Sequence, residues 1–203
     1  MARPRRQDIG NDNRREELVF AAARLFRDKG YHGTTMRDVG GAINMRPGSP
    51  FYHFATKQDL LFACVQEGLM SCLQALEAID RRALCAPDYF RALARTHLRY
   101  LLESPRGVVP LVVDEWRHLE GERYEAALAL RRRFERLWLL AFRRLREADL
   151  VRRADRRACW FFLGALHGIC GWYDPKGRLS AEQLADDLVD WVLCAGGART
   201  MHG

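Results

Sequence analysis

The stretch TTMRDVGGAINMRPGSPFYHFATKQDLL, residues 34–61, decides the fold. Thr35 followed by Asp38 has the spacing at which a hydroxyl caps a helix start while a carboxylate reaches back to the cap's N–H. The helix so begun, over 35–42, is weak, because Gly40 and Gly41 each cost about 1 kcal/mol relative to alanine. Asn44 tolerates the positive φ of a tight turn, and the turn 43–46 leads into another short helix over 47–54. Pro50 is admissible there only in the first turn, where no intrahelical N–H bond is lost. Thr56 with Asp59 repeats the capping pattern and opens a long helix, with Leu60, Leu61, Cys64, Val65, Leu69, Cys72, Leu73 and Leu76 at helical spacing.

The flanks are helical as well. Upstream, Asn13 with Glu16 reads as a capping box for a helix whose apolar face is Leu18, Ala22, Leu25 and Phe26, ended by Gly30 in a left-handed cap. Downstream, Pro87, Pro105, Asp174-Pro175 and Gly177 punctuate helices expected near 87–103, 106–118, 122–148, 154–173 and 181–196, the last capped by Ser180 with Gln183. No segment alternates with period two for long. The chain reads as all-α with about nine helices: a three-helix helix-turn-helix domain over 13–56, then a helical bundle over 57–198.

Composition narrows the function classes. The 203 residues are 48% hydrophobic and 29% charged, enough for a packed core, and a net charge of +7 permits nucleic acid or anionic ligands without requiring them. Only three of the 33 basic residues are lysine, which a genome favouring arginine codons explains as well as function does. Cysteines 64, 72, 85, 159, 170 and 194 show no zinc-type spacing, so no metal and no cofactor is expected; scattered thiols imply a reducing, cytoplasmic setting with small buried cysteines. The N-terminal residues lack the apolar stretch of a signal peptide. The longest uncharged run, 158–173, is shorter than the roughly 20 residues of a membrane span. No Gly-rich phosphate loop, Gly-x-Ser-x-Gly elbow or His-x-x-x-His pair marks an enzyme.

Two short helices joined by such a turn can place the second in the major groove of B-DNA. By spacing alone they also fit an ordinary bundle of small helices. The residue identities go further: the run 34–61, preceded by AARLFRDKGY at 22–31, closely resembles the DNA-binding signature of TetR-family transcriptional regulators, without a gap over about 14–65. The resemblance implies a homodimer on a near-palindromic operator, with Ser49, Phe51, Tyr52, His53 and Lys57 facing DNA and Thr35, Arg37 and Arg46 in support. Phe51 stands where the family commonly has tyrosine, and Pro50 where it usually has leucine; the second change stiffens the helix start, removes a core methyl group and leaves the helix angle open. Arg3, Arg5 and Arg6 form a basic arm that suits phosphate contacts or a solvated tail equally.

The same resemblance makes 57–198 a ligand-binding and dimerisation domain. The 154–173 segment is apolar nearly all round, so one face needs a partner beyond its own subunit; with the last helix it suggests a dimer interface of Phe161, Leu166, Trp172, Leu184, Leu188 and Trp191. Trp116, Trp138 and His167 are candidate effector contacts, against the alternative of core aromatics and a hydrogen-bonded core histidine. Eleven arginines over 131–157 face four acidic residues, a solvated face or a landing site for ligand phosphates. The segment GWYDPKGRLSAEQL at 171–184 resembles the last inter-helix connection of TetR relatives controlling fatty-acid, aromatic or steroid catabolism, several of which sense coenzyme A thioesters. The expectation is a ligand-responsive repressor whose effector is apolar or acyl-CoA-like. A helical adaptor without specific DNA binding, or an all-helical enzyme, is the alternative.

Overall fold

The computed structural model describes residues 6–103 and 115–197, and among these the regular structure is entirely helical. In chain order the α-helices are α1 Arg6–Lys29, α2 Met36–Ala42, α3 Pro50–His53, α4 Lys57–Glu77, α5 Ala86–Glu103, α6 Gly121–Glu147, α7 Arg156–Gly168 and α8 Ala181–Gly197. Two 3₁₀ turns, Glu115–His118 and Ile169–Gly171, complete the set. Most of the expected 106–118 helix lies outside the described residues, as do Arg3 and Arg5.

The chain divides into two compact units, Met1–Leu69 with Pro105–Leu130, and Met70–Ser104 with Arg131–Gly203. The division falls within α4 and α6. In the first unit, Leu18, Ala22, Phe26, Val39, Leu60, Leu61, Cys64 and Val65 close a core joined by Leu119 and Ala127. Gln58 donates to the carbonyl of His118, and Glu115 accepts from the Tyr31 N–H, tying the 3₁₀ turn to α4 and to the turn that follows α1. Gly30 has the left-handed φ of +73° that a helix C-cap requires. One helix start is corrected: α1 begins at Arg6, so Asn13 lies within it and caps nothing.

The second unit packs α5 against α8 and α7. Its centre is aromatic, with Phe90, Trp138, Phe142 and Phe162 in mutual edge or tilted contact at 4.8–5.9 Å. Arg91 and Arg95 grip Asp186, and Arg91 also grips Asp190, fastening α5 to α8. The arginine-rich run is largely absorbed by the fold. Arg133 pairs with Glu77, Arg146 with Asp149, Arg153 with Asp155, and Arg156 with the buried Glu135, while Arg144 donates to the carbonyls of Arg81 and Leu84. No helix among the described residues is long and apolar enough to cross a membrane, and no group of His, Cys, Asp or Glu there could hold a metal. The cysteines are all free; Cys64, Cys72 and Cys159 are buried as expected, whereas Cys85 and Cys194 are exposed.

Candidate DNA-reading surface

The capping arithmetic at α2 is realised atom by atom. Thr35 Oγ1 accepts from the Asp38 N–H at 3.1 Å, and the Asp38 carboxylate accepts from the Thr35 N–H at 2.8 Å. Asp59 caps α4 in the same way through Thr56 and also accepts from the Arg123 guanidinium on α6. These bonds, from the threonine hydroxyls first, hold both carboxyls below the usual carboxylate range. A group with a depressed folded pKa stabilises the fold above its unfolded value of about 3.9, and that contribution is lost as pH falls through the folded pKa. The melting-temperature gap between wild type and Asp59→Asn should therefore be full at pH 6–7 and shrink steadily below about pH 4. A pH-independent gap would mean the carboxylate charge contributes nothing.

Between α2 and α3 the chain turns on Asn44 at φ +56° and Gly48 at φ +91°. The positive φ at Gly48 and the missing N–H of Pro50 start α3 late: its regular part is Pro50–His53, preceded by turns over 47–49, shorter than the expected 47–54. Pro50 itself is buried against α2. A Cβ placed on Gly40 would stand 2.6 Å from Pro50 Cγ, closer than two carbons can approach. The proline ring thus packs directly against the bare Gly40 backbone, and glycine is what lets it in. Gly40→Ala should push α3 off α2 and cost about 1–3 kcal/mol of stability, as overpacking does, with weakened DNA binding. A crystal structure of Gly40→Ala with α3 unmoved would contradict this packing.

The surface so built faces solvent. Tyr52 is 81% and Phe51 54% exposed, and Arg37 and Arg46 are exposed beside them. Phe51 and Arg37 line two adjoining hollows, one shared with Thr35 and Lys57 and the other with Arg46. Ser49 and His53 are half-buried at the start and end of α3, and the His53 ring packs edge-on against Tyr52 at 5.4 Å. Lys57 is held within the subunit: its Nζ donates to the carbonyls of Tyr31 and Thr34 at 3.0 and 3.1 Å and lies over the Tyr31 ring. The ammonium ties the 31–34 turn to α4. Replacing Arg37 or Arg46 with alanine should each flatten the log-affinity versus log-salt slope by about 2, one phosphate contact from each protomer of the dimer. Lys57→Met should lower the melting temperature and leave that slope unchanged. His32, in the turn before α2, also lines the first hollow and was missed because it belongs to no helix.

The other candidate residues sort by unit. Trp116 stacks on Tyr124 in the first unit at 5.5 Å and is part of its packing. Trp138 and His167 meet in the second unit through His97, whose ring is 5.8 Å from one and 5.1 Å from the other. Of the apolar α7–α8 residues, Leu166 and Leu184 are buried inside their own subunit and have almost no surface to offer a partner. Phe161, Trp172 and Trp191 are 78%, 63% and 70% exposed, and Leu188 joins Phe161 and Trp191 along one apolar groove.

An exposed short helix, set by a tight turn on a capped neighbour and flanked by arginines, is a helix-turn-helix surface for B-DNA. The sequence model of bacterial regulatory proteins of the tetR family matches residues 18–64, and that of the tetracycline-repressor-like C-terminal domain matches 86–195. The chain belongs to the TetR family of bacterial regulatory proteins. The HTH-type transcriptional repressor KstR2 of Rhodococcus jostii strain RHA1 is 26% identical over 194 residues, covering 91% of each chain. The structure of AibR in complex with isovaleryl coenzyme A and operator DNA superposes with a TM-score of 0.78 at 27% identity, covering 89% of this chain and 98% of AibR. The TetR-family regulator PfmR from Thermus thermophilus gives a TM-score of 0.72 at 26% identity, covering 87% of this chain and 97% of PfmR.

Proposed function

We propose that the protein acts as a homodimer on a near-palindromic operator and is released by a small apolar effector of the acyl-coenzyme A class. The observation that carries the DNA half is the outward display of Phe51 and Tyr52 between Arg37 and Arg46, large aromatic area that a free subunit has no internal reason to expose. Ser49, His53 and Thr35 complete this surface. The dimer is formed through Phe161, Trp172, Leu188 and Trp191, because a patch of that size and hydrophobicity is rarely left to water. Residues 57–198 carry the effector, with Trp138 and His167 among its contacts; the AibR complex supports the thioester class.

Coupling runs through α4, which is continuous from Lys57 to Glu77 and is separated from α3 by three residues. An effector that shifts α4 moves α3 with it, and only differential affinity for the two states can do so. The test is operator affinity measured with and without saturating isovaleryl-CoA. The reading requires a clear loss of affinity with the thioester and none with free coenzyme A. Equal affinity in all three conditions rejects the thioester as effector.

A further inference from the structure

Among the described residues, two buried side-chain polar atoms have no hydrogen-bond partner: His97 Nδ1 and Trp138 Nε1. They sit on neighbouring rings in the second unit, His97 from α5 at 2% exposure and Trp138 from α6 at 0%. Phe134 packs edge-on against His97 at 5.0 Å, and Phe90 and Phe162 flank Trp138 at 5.6 and 5.3 Å. On its other side His97 Nε2 lies 3.3 Å from Nε2 of His167, which is half-buried on α7. An unsatisfied polar group in such a setting is costly, and native interiors carry few of them. Two on adjoining rings, packed among aromatic side chains, are polar groups that the chain itself leaves without a partner.

We infer that His97 and Trp138 together bind an uncharged oxygen of the effector, a carbonyl or a hydroxyl. This rests on the reading that a small effector occupies the second unit, and it names the chemistry read there. The indole N–H is a donor only, so the partner atom accepts. His97 has one nitrogen committed to His167, and its free Nδ1 suits either group. When His167 donates to His97 Nε2, the Nδ1–H and the indole N–H meet a carbonyl oxygen. When His97 donates instead, Nδ1 accepts from a hydroxyl whose oxygen takes the indole N–H. A carboxylate fits neither arrangement: burial and the adjacent His167 keep His97 neutral, so the anion would lose its water without gaining a counter-charge. The neighbouring Phe90, Phe134 and Phe162 rings suit an apolar skeleton. Acyl thioesters, ketones and alcohols therefore qualify as ligands here, and free acids do not.

The test uses 2-nonanone, 1-nonanol, nonanoate and nonane as probes of the full-length ¹⁵N-labelled protein. The Trp138 indole resonance is assigned by its disappearance in Trp138→Phe. The ketone and the alcohol should move that proton downfield in a saturable way, while nonanoate at neutral pH and nonane leave it in place. By calorimetry, Trp138→Phe and His97→Phe should each weaken 2-nonanone binding by about tenfold, the scale of one hydrogen bond. An indole signal unmoved by all four compounds, or moved equally by nonane, overturns the assignment. Operator DNA takes no part in this experiment, so the two readings fail separately. A shifted indole without operator release by isovaleryl-CoA refutes the thioester effector, and release without any indole shift refutes the oxygen site.

Discussion

Replacing both Tyr52 and His53 with alanine should lower operator affinity by about a thousandfold, since four lost contacts across a dimer at roughly 1 kcal/mol each sum to that. The same change should leave the melting temperature nearly untouched. Tyr52 is 81% exposed, and its ring contacts His53 edge-on at 5.4 Å, so both partners of that contact leave together. Gel-shift or fluorescence-anisotropy titration gives the affinity, and thermal denaturation with light scattering gives stability and dimer mass. An adaptor that had lost specific DNA binding would show weak affinity before the substitutions and no further fall after them. An enzyme would keep its turnover. Loss of affinity together with loss of fold would mean that the two side chains serve packing, contrary to the exposure of Tyr52.

The second large effect is expected at the α7–α8 surface. Arginine at both Phe161 and Trp191 places charge in the middle of an apolar groove that Leu188 shares. Two like charges then face their copies across a twofold axis, and desolvating them costs more than the apolar contact returns. The protein should elute and scatter as a monomer. Operator affinity should fall by at least about a hundredfold, because a single half-site forfeits the linked second contact. Helical content should be kept, since both side chains are 70% or more exposed. A variant that remains dimeric would move the interface elsewhere on the subunit.

The parts of the fold legible in sequence were those set by local chemistry. Thr35 with Asp38, Thr56 with Asp59 and Ser180 with Gln183 all form the reciprocal bonds their spacing implied, because a capping box is completed within four residues. Asn44 and Gly30 adopt positive φ for the same local reason. The cap at Asn13 failed because the polar residues before it continue the helix, and nothing local to Asn13 and Glu16 registers that.

Site residues were legible where the helix face was narrow and illegible where tertiary neighbours decide. The bonds of Lys57 to the Tyr31 and Thr34 carbonyls could not be read from sequence, because the acceptors lie 26 and 23 residues away. In α7, apolar on nearly every side, sequence could not say that Leu166 turns inward while Phe161 turns out. Gly40 read only as a weak helix former, and its contact with Pro50 needs both helices in place. The cluster of His97, Trp138 and His167 is assembled from α5, α6 and α7, separations over which periodicity carries no information.

The central claim is that α3, displayed outward on a twofold assembly, reads DNA. Selecting binding sites from a random DNA library with the purified protein tests it most directly. The predicted outcome is one enriched near-palindrome whose half-sites lie about one helical turn, 10–10.5 base pairs, apart or at a multiple of it, and which Tyr52→Ala with His53→Ala no longer retains. A library that stays random after repeated rounds at low salt, or a single unpaired half-site bound by a monomer, would contradict it.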